Sequence, residues 1–206
     1  ATALVAAASF VDDLRSLPVW VRFGCHASAA LLTLAALGWP QVELGLAAGT
    51  AVPLPVPVGL GLIFIWIVGY TNAFNFMDGI NGLAAGQAAI TGLGMALIGS
   101  LGSHFSFQLS AFSSPVLLSL IIAGAALGFL PHNFPQARMF MGDVGSAPLG
   151  FWLAVLALWL AMIAGAWLLL PLVLLHATFV LDTGITLLRR TLRGARWYAA
   201  HRAHFY

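Results

Sequence analysis

Apolar runs of membrane-spanning length recur along the chain, separated by short polar stretches. A first run, residues 1–11, is about half the usual length, and six longer ones follow at 19–38, 58–73, 83–101, 116–130, 147–164 and 166–188. A helix of roughly 20 apolar residues crosses a hydrocarbon core of about 30 Å, so the pattern predicts a span for each long run and an incomplete one at the start. A turn near 164–166 joins the last two spans. Pro53, Pro55 and Pro57 alternate in a stretch that should be an extended spacer, because proline fixes its own φ and restricts the residue before it. Gly59 and Gly61, or Gly92 and Gly94, suit close helix packing. The predicted fold class is therefore all-α, a polytopic transmembrane helix bundle. The half-length opening and the abrupt polar end predict a fragment truncated at both termini, a single partial transmembrane catalytic domain over 1–206.

Charge sharpens this picture. No charged residue lies between Glu43 and Asp78, between Asp78 and Arg138, or between Asp143 and Asp182. Only 7% of residues are charged and 61% are hydrophobic, with mean hydropathy +0.99. A soluble domain carries about 25% charged residues, so this chain cannot coat a water-soluble globule. The connectors alternate between two sides. One set comprises 12–18, 75–82, 131–145 and the tail 189–206; it holds Asp12, Asp13, Asp78, Asp143 and every Arg, with Arg22 at the edge of its span. The other set holds Glu43 alone. Arg-rich loops stay inside, which assigns the first set to the cytoplasmic side of the membrane. Acidic residues contribute little to that rule, so their gathering on one face calls for another reason. A net charge of +2 is too weak for a nucleic-acid footprint, and the single Cys25 permits no internal disulfide.

Four polar clusters on the first face can carry chemistry. Asp12 and Asp13 follow an apolar run directly; two adjacent carboxylates repel, which a divalent cation or an acid–base role would offset, although a solvated helix end explains them equally well. Asn72, Asn75 and Asp78 fall at helical spacing, followed by Gly79, Asn81 and Gly82. Amides both donate and accept, which suits a sugar or base, and the glycines permit close approach; the plainer alternative is a helix C-cap and a Gly turn. Asn133, Phe140 and Met141-Gly-Asp143-Val-Gly-Ser146 form the third cluster. Asp143, next to a helix N-terminus, suits either Mg²⁺ or ordinary capping. The last is the tail, with Arg189, Arg193 and Arg196 on one helical face and His201 and His204 beyond; the arginines read mainly as membrane anchoring, the histidines as phosphate donors. His26, His104 and His176 read as satisfied structural histidines, and Asp182 as structural.

In this order the four clusters resemble the polyprenyl-phosphate N-acetylhexosamine-1-phosphate transferase family, glycosyl transferase family 4. The resemblance covers essentially the whole chain, but only part of the family's length. It implies transfer of a sugar 1-phosphate from a UDP-sugar to undecaprenyl phosphate at the cytoplasmic face, with release of UMP. It implies a Mg²⁺ cofactor (Mn²⁺ as a substitute) bound by Asp143. Asp12 would activate the lipid phosphate, with Asp13 beside it as a further catalytic carboxylate. Asn72, Asn75 and Asp78 would hold the nucleotide diphosphate, with Asn81 next to them. Asn133 and Phe140 would shape the uridine pocket, and His201 and His204 would contact phosphates. The implied partners are the UDP-sugar, undecaprenyl phosphate and the lipid bilayer, with no nucleic acid and with room for a homodimer.

Three departures stand out. Asn81 occupies a position where many relatives carry Asp. The His-Arg-Ala-His tail resembles O-antigen and exopolysaccharide initiating transferases more than the peptidoglycan enzyme. The early cytoplasmic loop that supplies basic residues in the family is absent. A catalytically inactive scaffold of glycan assembly therefore remains an alternative. A transporter fits less well, because its ionisable residues belong near the bilayer midplane rather than at one edge.

Overall fold

The computed structural model describes residues 1–47, 50–102 and 114–194. Seven helices account for most of it: α1 (Thr2–Arg15), α2 (Val19–Ala36), α3 (Val56–Met77), α4 (Leu83–Gly102), α5 (Ser114–Asn133), α6 (Gly142–Ala164) and α7 (Leu169–Leu192). A 3-10 turn at Ala166–Leu168 leads into α7. Among the described residues, six helical stretches are long and apolar enough to cross a membrane: Val19–Ala36, Val56–Met77, Leu83–Leu101, Ser114–Asn133, Gly142–Ala164 and Ala166–Leu192. The predicted polytopic helical bundle is what the chain forms.

Prolines and glycines punctuate the bundle for local reasons. Pro18 and Pro55 precede α2 and α3 with φ of −56° and −52°, values proline's ring already imposes. Gly165 ends α6 at φ +112°, a conformation closed to residues with a side chain, and this makes the predicted turn before α7.

Helix α6 is the hub, packing against α1, α3, α4, α5 and α7. Its Leu153, Leu156 and Leu160 are fully buried and meet Tyr70, Phe74, Met95, Leu172 and Phe179 in the larger core. A second core of Val5, Ala29, Ala30, Leu34, Ile63, Ile67 and Phe151 joins α1 and α2 to α3 and α6. Three glycines make the helix contacts close. A Cβ on Gly150 would lie 2.6 Å from Cβ of Phe74, so α3 and α6 touch at van der Waals distance there. A Cβ on Gly92 would lie 2.7 Å from the Ser119 carbonyl oxygen, and one on Gly94 2.7 Å from the Leu175 side chain. The Gly92/Gly94 pair thus packs as predicted. Gly61 instead faces open space, and Gly59 abuts Val42, which precedes a strand. The outward faces keep large apolar residues such as Leu31, Ile65, Leu97 and Leu174 exposed, as lipid contact requires.

The structure adds one element that the pattern of apolar runs did not foresee. Residues Glu43–Ala47 (β1) and Thr50–Pro53 (β2) pair antiparallel, with Glu43 opposite Pro53. The sequence reads here only as an extended spacer, but two extended segments close in sequence can pair. Pro53 falls at the strand end, where its missing N–H breaks no ladder. A Cβ on Gly45 would come within 2.6 Å of the Trp167 backbone nitrogen, so the hairpin closes over the 3-10 turn. That is the bundle end opposite Asp13, Asp78 and Asp143.

Several helices also outrun their apolar stretches. Helix α3 continues to Met77, α5 to Asn133, and α6 begins at Gly142 rather than near Ala147. Hydropathy marks where lipid ends, whereas a helix persists while its backbone groups stay bonded. Asn72 stays inside α3, its amide donating to the Val68 carbonyl at 2.7 Å.

Candidate active site

The site is organised by the N-terminus of α6. The first N–H groups of any helix lack intrahelical partners, and the helix dipole favours negative charge there. Here no side chain of the local sequence caps α6. Asp13, from the last turn of α1, does so instead: its carboxylate accepts from Asp143 N at 2.9 Å and from Val144 N at 2.9 Å. Gly142 makes this approach feasible. Its φ is +66°, and a Cβ there would lie 2.9 Å from Asp13 Oδ2.

Asp12, the neighbour of Asp13, points into the bundle and is buried. It accepts from the Leu17 backbone N–H and from Arg22 Nη1, the latter at 2.8 Å. The same Nη1 lies 3.5 Å from Asp143 Oδ2, so one guanidinium bridges two carboxylates from different helices. On its other oxygen, Asp143 accepts from Asn75 Nδ2 at 2.9 Å. That amide also reaches Ser146 Oγ at 2.9 Å, and Ser146 donates to the Gly142 carbonyl at 2.9 Å. Burial pulls the Asp12 carboxyl upward, but the Asp143 carboxyl, the Leu17 N–H and the Arg22 guanidinium together hold it below the ordinary carboxylate value.

Beside this constellation lies a cleft of about 180 Å³, lined by Asn75, Asp78, Asn81, Asn133, Phe140 and Asp143 among others. Asp78 ends α3, and burial together with the charge of Asp143 pushes its carboxyl up to about 6. Asn133 braces the cleft from both sides. Its Oδ1 accepts from Gly82 N at 2.7 Å and its Nδ2 donates to the Met139 carbonyl at 2.9 Å, tying the α3–α4 turn to the α5–α6 connector. Asn81 donates to the Pro135 carbonyl at 3.2 Å, and Phe140 is 78% exposed at the rim.

Of the residues singled out from the sequence, Asp12, Asp13, Asn75, Asp78, Asn81, Asn133, Phe140 and Asp143 thus meet at one end of the bundle. Asn72 does not line the same cleft as Asp78; it lines a smaller cavity behind Asn75 and Asp143. Asp13 uses both carboxylate oxygens on the backbone of α6, which makes it a positioning residue here. His201 and His204 lie outside the described residues, as does His104. Two residues carry more than the sequence suggested. In the sequence Arg22 reads only as a charge at a span edge, and Ser146 only as part of a motif. The available signal was a single cation in the second turn of an apolar helix, close in sequence to an unpaired acidic pair.

Two histidines depart from the satisfied state expected of them. His176 Nδ1 meets the Leu172 carbonyl at 2.7 Å and its ring packs edge-on against Tyr70, but its Nε2 has no hydrogen-bond partner. His26 is buried with Nδ1 unpartnered.

Among the described residues no group of three or more His, Cys, Asp or Glu side chains is arranged to hold a metal. The oxygen-bearing side chains that line the cleft are the Asp78 and Asp143 carboxylates and the Asn75, Asn81 and Asn133 amides.

The family model for glycosyl transferase family 4 matches residues 1–161. A decaprenyl-phosphate N-acetylglucosaminephosphotransferase of Mycobacterium leprae is 34% identical over 157 residues, covering 75% of this chain and 39% of the relative. A probable undecaprenyl-phosphate N-acetylglucosaminyl 1-phosphate transferase of Bacillus subtilis is 36% identical over 145 residues, 69% of this chain and 38% of the relative. A phospho-N-acetylmuramoyl-pentapeptide-transferase of Lactococcus lactis is 38% identical over 121 residues, 59% of this chain and 32% of the relative. The chain therefore spans about two fifths of the length of the curated relatives it matches. With its helical bundle, its aspartates converging on one helix N-terminus and a family match over most of its length, the chain belongs to glycosyl transferase family 4.

Proposed function

We propose that the protein containing this chain transfers a sugar 1-phosphate from a UDP-sugar to undecaprenyl phosphate at the cytoplasmic face of the bacterial inner membrane, and so initiates cell-envelope glycan synthesis. The sugar is an N-acetylhexosamine or its 6-deoxy form. A phosphate oxygen of the acceptor bonds to the donor phosphorus that bears the sugar. The bond from that phosphorus to the bridging oxygen breaks, and the oxygen leaves with UMP. The single observation that carries this reading is the convergence of Asp12, Arg22, Asn75 and Asp143 on one helix N-terminus at the edge of a membrane bundle.

Phosphoryl transfer asks a protein for positioning and charge neutralisation more than for covalent chemistry. Each residue has a place in that scheme. Asp13 holds the α6 N-terminus still. Asn75 fixes one oxygen of Asp143 and thereby its orientation. Asp12, kept ionised by Arg22 and the Leu17 N–H, orients the acceptor phosphate, while Arg22 offers the positive charge that a phosphate among carboxylates needs. Asp78, Asn81, Asn133 and Phe140 line the room for the nucleotide sugar. His201 and His204 contribute further phosphate contacts in this reading.

A divalent cation fits the donor set. Mg²⁺ prefers oxygen and binds through one or two carboxylates plus waters and substrate phosphates, so a three-carboxylate cage is not needed. Asp143 would hold it, with Asp78 across the cleft. The upward push on Asp78 by Asp143 is a repulsion that a cation relieves. When bound, the ion would neutralise diphosphate charge.

The test is UMP release by membranes containing the full-length protein, given undecaprenyl phosphate, Mg²⁺ and each of a panel of UDP-sugars. Release with one sugar, abolished in Asp143→Asn without loss of folded protein, is the expected result. Asp143→Asn turning over at saturating Mg²⁺ would remove the metal assignment. No release from folded wild type with any sugar would leave the scaffold reading.

A further inference from the structure

Helix α4 carries an amide inside an apolar span. Gln87 lies among Ala84, Ala85, Ala88 and Ala89, all buried, and is itself 9% exposed. Alanines let helix backbones come close, but lipid supplies no hydrophobic force that would fix how far one helix slides along another. Directional bonds can. Gln87 Nε2 donates to the Leu175 carbonyl of α7 at 2.8 Å and to Thr91 Oγ1 at 2.9 Å, and Thr91 donates to the same carbonyl at 3.3 Å. Thr178 of α7 donates in return to Gln87 Oε1 at 3.2 Å. Both the nitrogen and the oxygen of one α4 amide are thus bonded to α7.

The hydroxyls set this contact apart from others in the bundle. Thr33, Thr71 and Ser119 each donate to the carbonyl four residues back on their own helix, as hydroxyls in apolar helices commonly do. Thr91 and Thr178 instead bridge α4 and α7. Gly94 deepens the same contact, since a Cβ there would lie 2.7 Å from the Leu175 side chain.

The clamp sits close to the cleft. Gln87 is one turn into α4, and α4 follows directly on the turn whose Gly79, Ile80 and Asn81 line the cleft. Helices α3 and α4 are consecutive but touch little, whereas α4 packs extensively against α5. Contact with α3 therefore does little to hold α4 in place. Helix α7 is seated differently. Phe179, next to Thr178, meets Phe74 of α3 with ring centroids 5.2 Å apart, and Phe74 adjoins Asn75. Leu172 and Phe179 share the larger core with Leu153 and Leu156 of α6, the helix that begins beside Asp143. The clamp thus gauges α4 against the two helices that carry Asn75 and Asp143. A shift of α4 along α7 would move the 79–82 wall relative to both.

We propose that Gln87 is a positioning residue: held to α7 at Leu175 and Thr178, it fixes the register of α4 and through it the 79–82 wall of the cleft. The proposal rests on the transfer reaction above, with the nucleotide sugar in that cleft. Loss of the clamp then weakens donor binding and spares the acceptor and the chemical step.

The experiment uses the full-length protein in detergent. Thr178 is exposed on α7, so Thr178→Val removes a hydroxyl without disturbing the core. Thr178→Val should raise donor KM about threefold and Gln87→Leu about tenfold, the span of interhelical hydrogen bonds in membranes, with kcat and acceptor KM within about twofold. Thr178→Ser keeps the hydroxyl and should match wild type. Thr33→Val removes a hydroxyl that bonds only its own helix and should leave donor KM unchanged. Backbone amide exchange without substrates should quicken over residues 79–86 in Thr178→Val and Gln87→Leu, and stay at the wild-type rate over α2. Unchanged donor KM in both variants overturns the proposal, as does a fall in kcat alone or an equal rise in both KM values. If Gln87→Leu does not fold, Thr178→Val decides. If wild type releases no UMP, the transfer reaction is lost: faster exchange over 79–86 in the variants would then keep the clamp, and unchanged exchange would sink it too.

Discussion

Asp13 accepts a 2.9 Å hydrogen bond from the backbone N–H of Val144, and a second of 2.9 Å from Asp143, so the end of one helix caps the start of another. The carboxylate that caps α6 is thereby joined to the one that binds Arg22, since Asp12 and Asp13 are adjacent. The orientation of α6, and with it that of Asp143, depends on α1.

Removing the cap should therefore affect stability and turnover together. Asp13→Ala should destabilise the protein by about 1 kcal/mol, the usual worth of an N-cap, and reduce kcat far more than it changes either KM. Asp13→Asn keeps one acceptor oxygen and should lie between. Unfolding midpoints and steady-state UMP release check this. Wild-type kcat in Asp13→Ala would show that α6 does not need the cap.

Gly142 should tolerate no side chain. At φ +66° an alanine costs about 1–2 kcal/mol from backbone strain alone, and its Cβ would press on Asp13. Gly142→Ala should thus destabilise at least as much as Asp13→Ala. In the double variant the two effects should sum to less than their separate costs, because both break the same contact. Strict additivity, measured by thermal unfolding, would contradict that coupling.

The raised pKa of Asp78 makes a statement about pH. Its carboxyl titrates near 6 in the folded protein, against 3.8 for the ordinary group. Between those values the folded state holds a proton that the unfolded state has released, so this group's contribution declines as pH rises from about 4 to about 6 and stays low above. Asp78→Asn should abolish that decline and raise Tm relative to wild type at pH 7, with no difference near pH 3. Mg²⁺ should restore part of the lost stability to wild type above pH 6 but little to Asp78→Asn. Unfolding curves across pH, with and without Mg²⁺, decide it; parallel curves for the two proteins would place Asp78 in contact with water instead.

The spans, their order and the gathering of aspartates at one end were legible in the sequence. A bilayer imposes a length of about 30 Å on each apolar run, so hydropathy and charge along the chain report directly on crossing and turning. The clusters Asp12-Asp13, Asn72–Asp78 and Asn133–Ser146 could be picked out because polar residues are scarce in a chain with 7% charge. What each residue touches was not legible. Arg22 reaches Asp143 across 121 positions of sequence, and Asp13 reaches Val144 across 131. Those contacts follow from how closely α1 packs against α6 and how α2 packs beside α1 and α3. The same packing left Asn72 and His26 facing a separate cavity from Asp78, although spacing alone placed Asn72 and Asp78 on one stripe. Hydropathy acts residue by residue along the chain, whereas hydrogen bonds depend on distances of a few tenths of an ångström between helices, and only the packed bundle sets those.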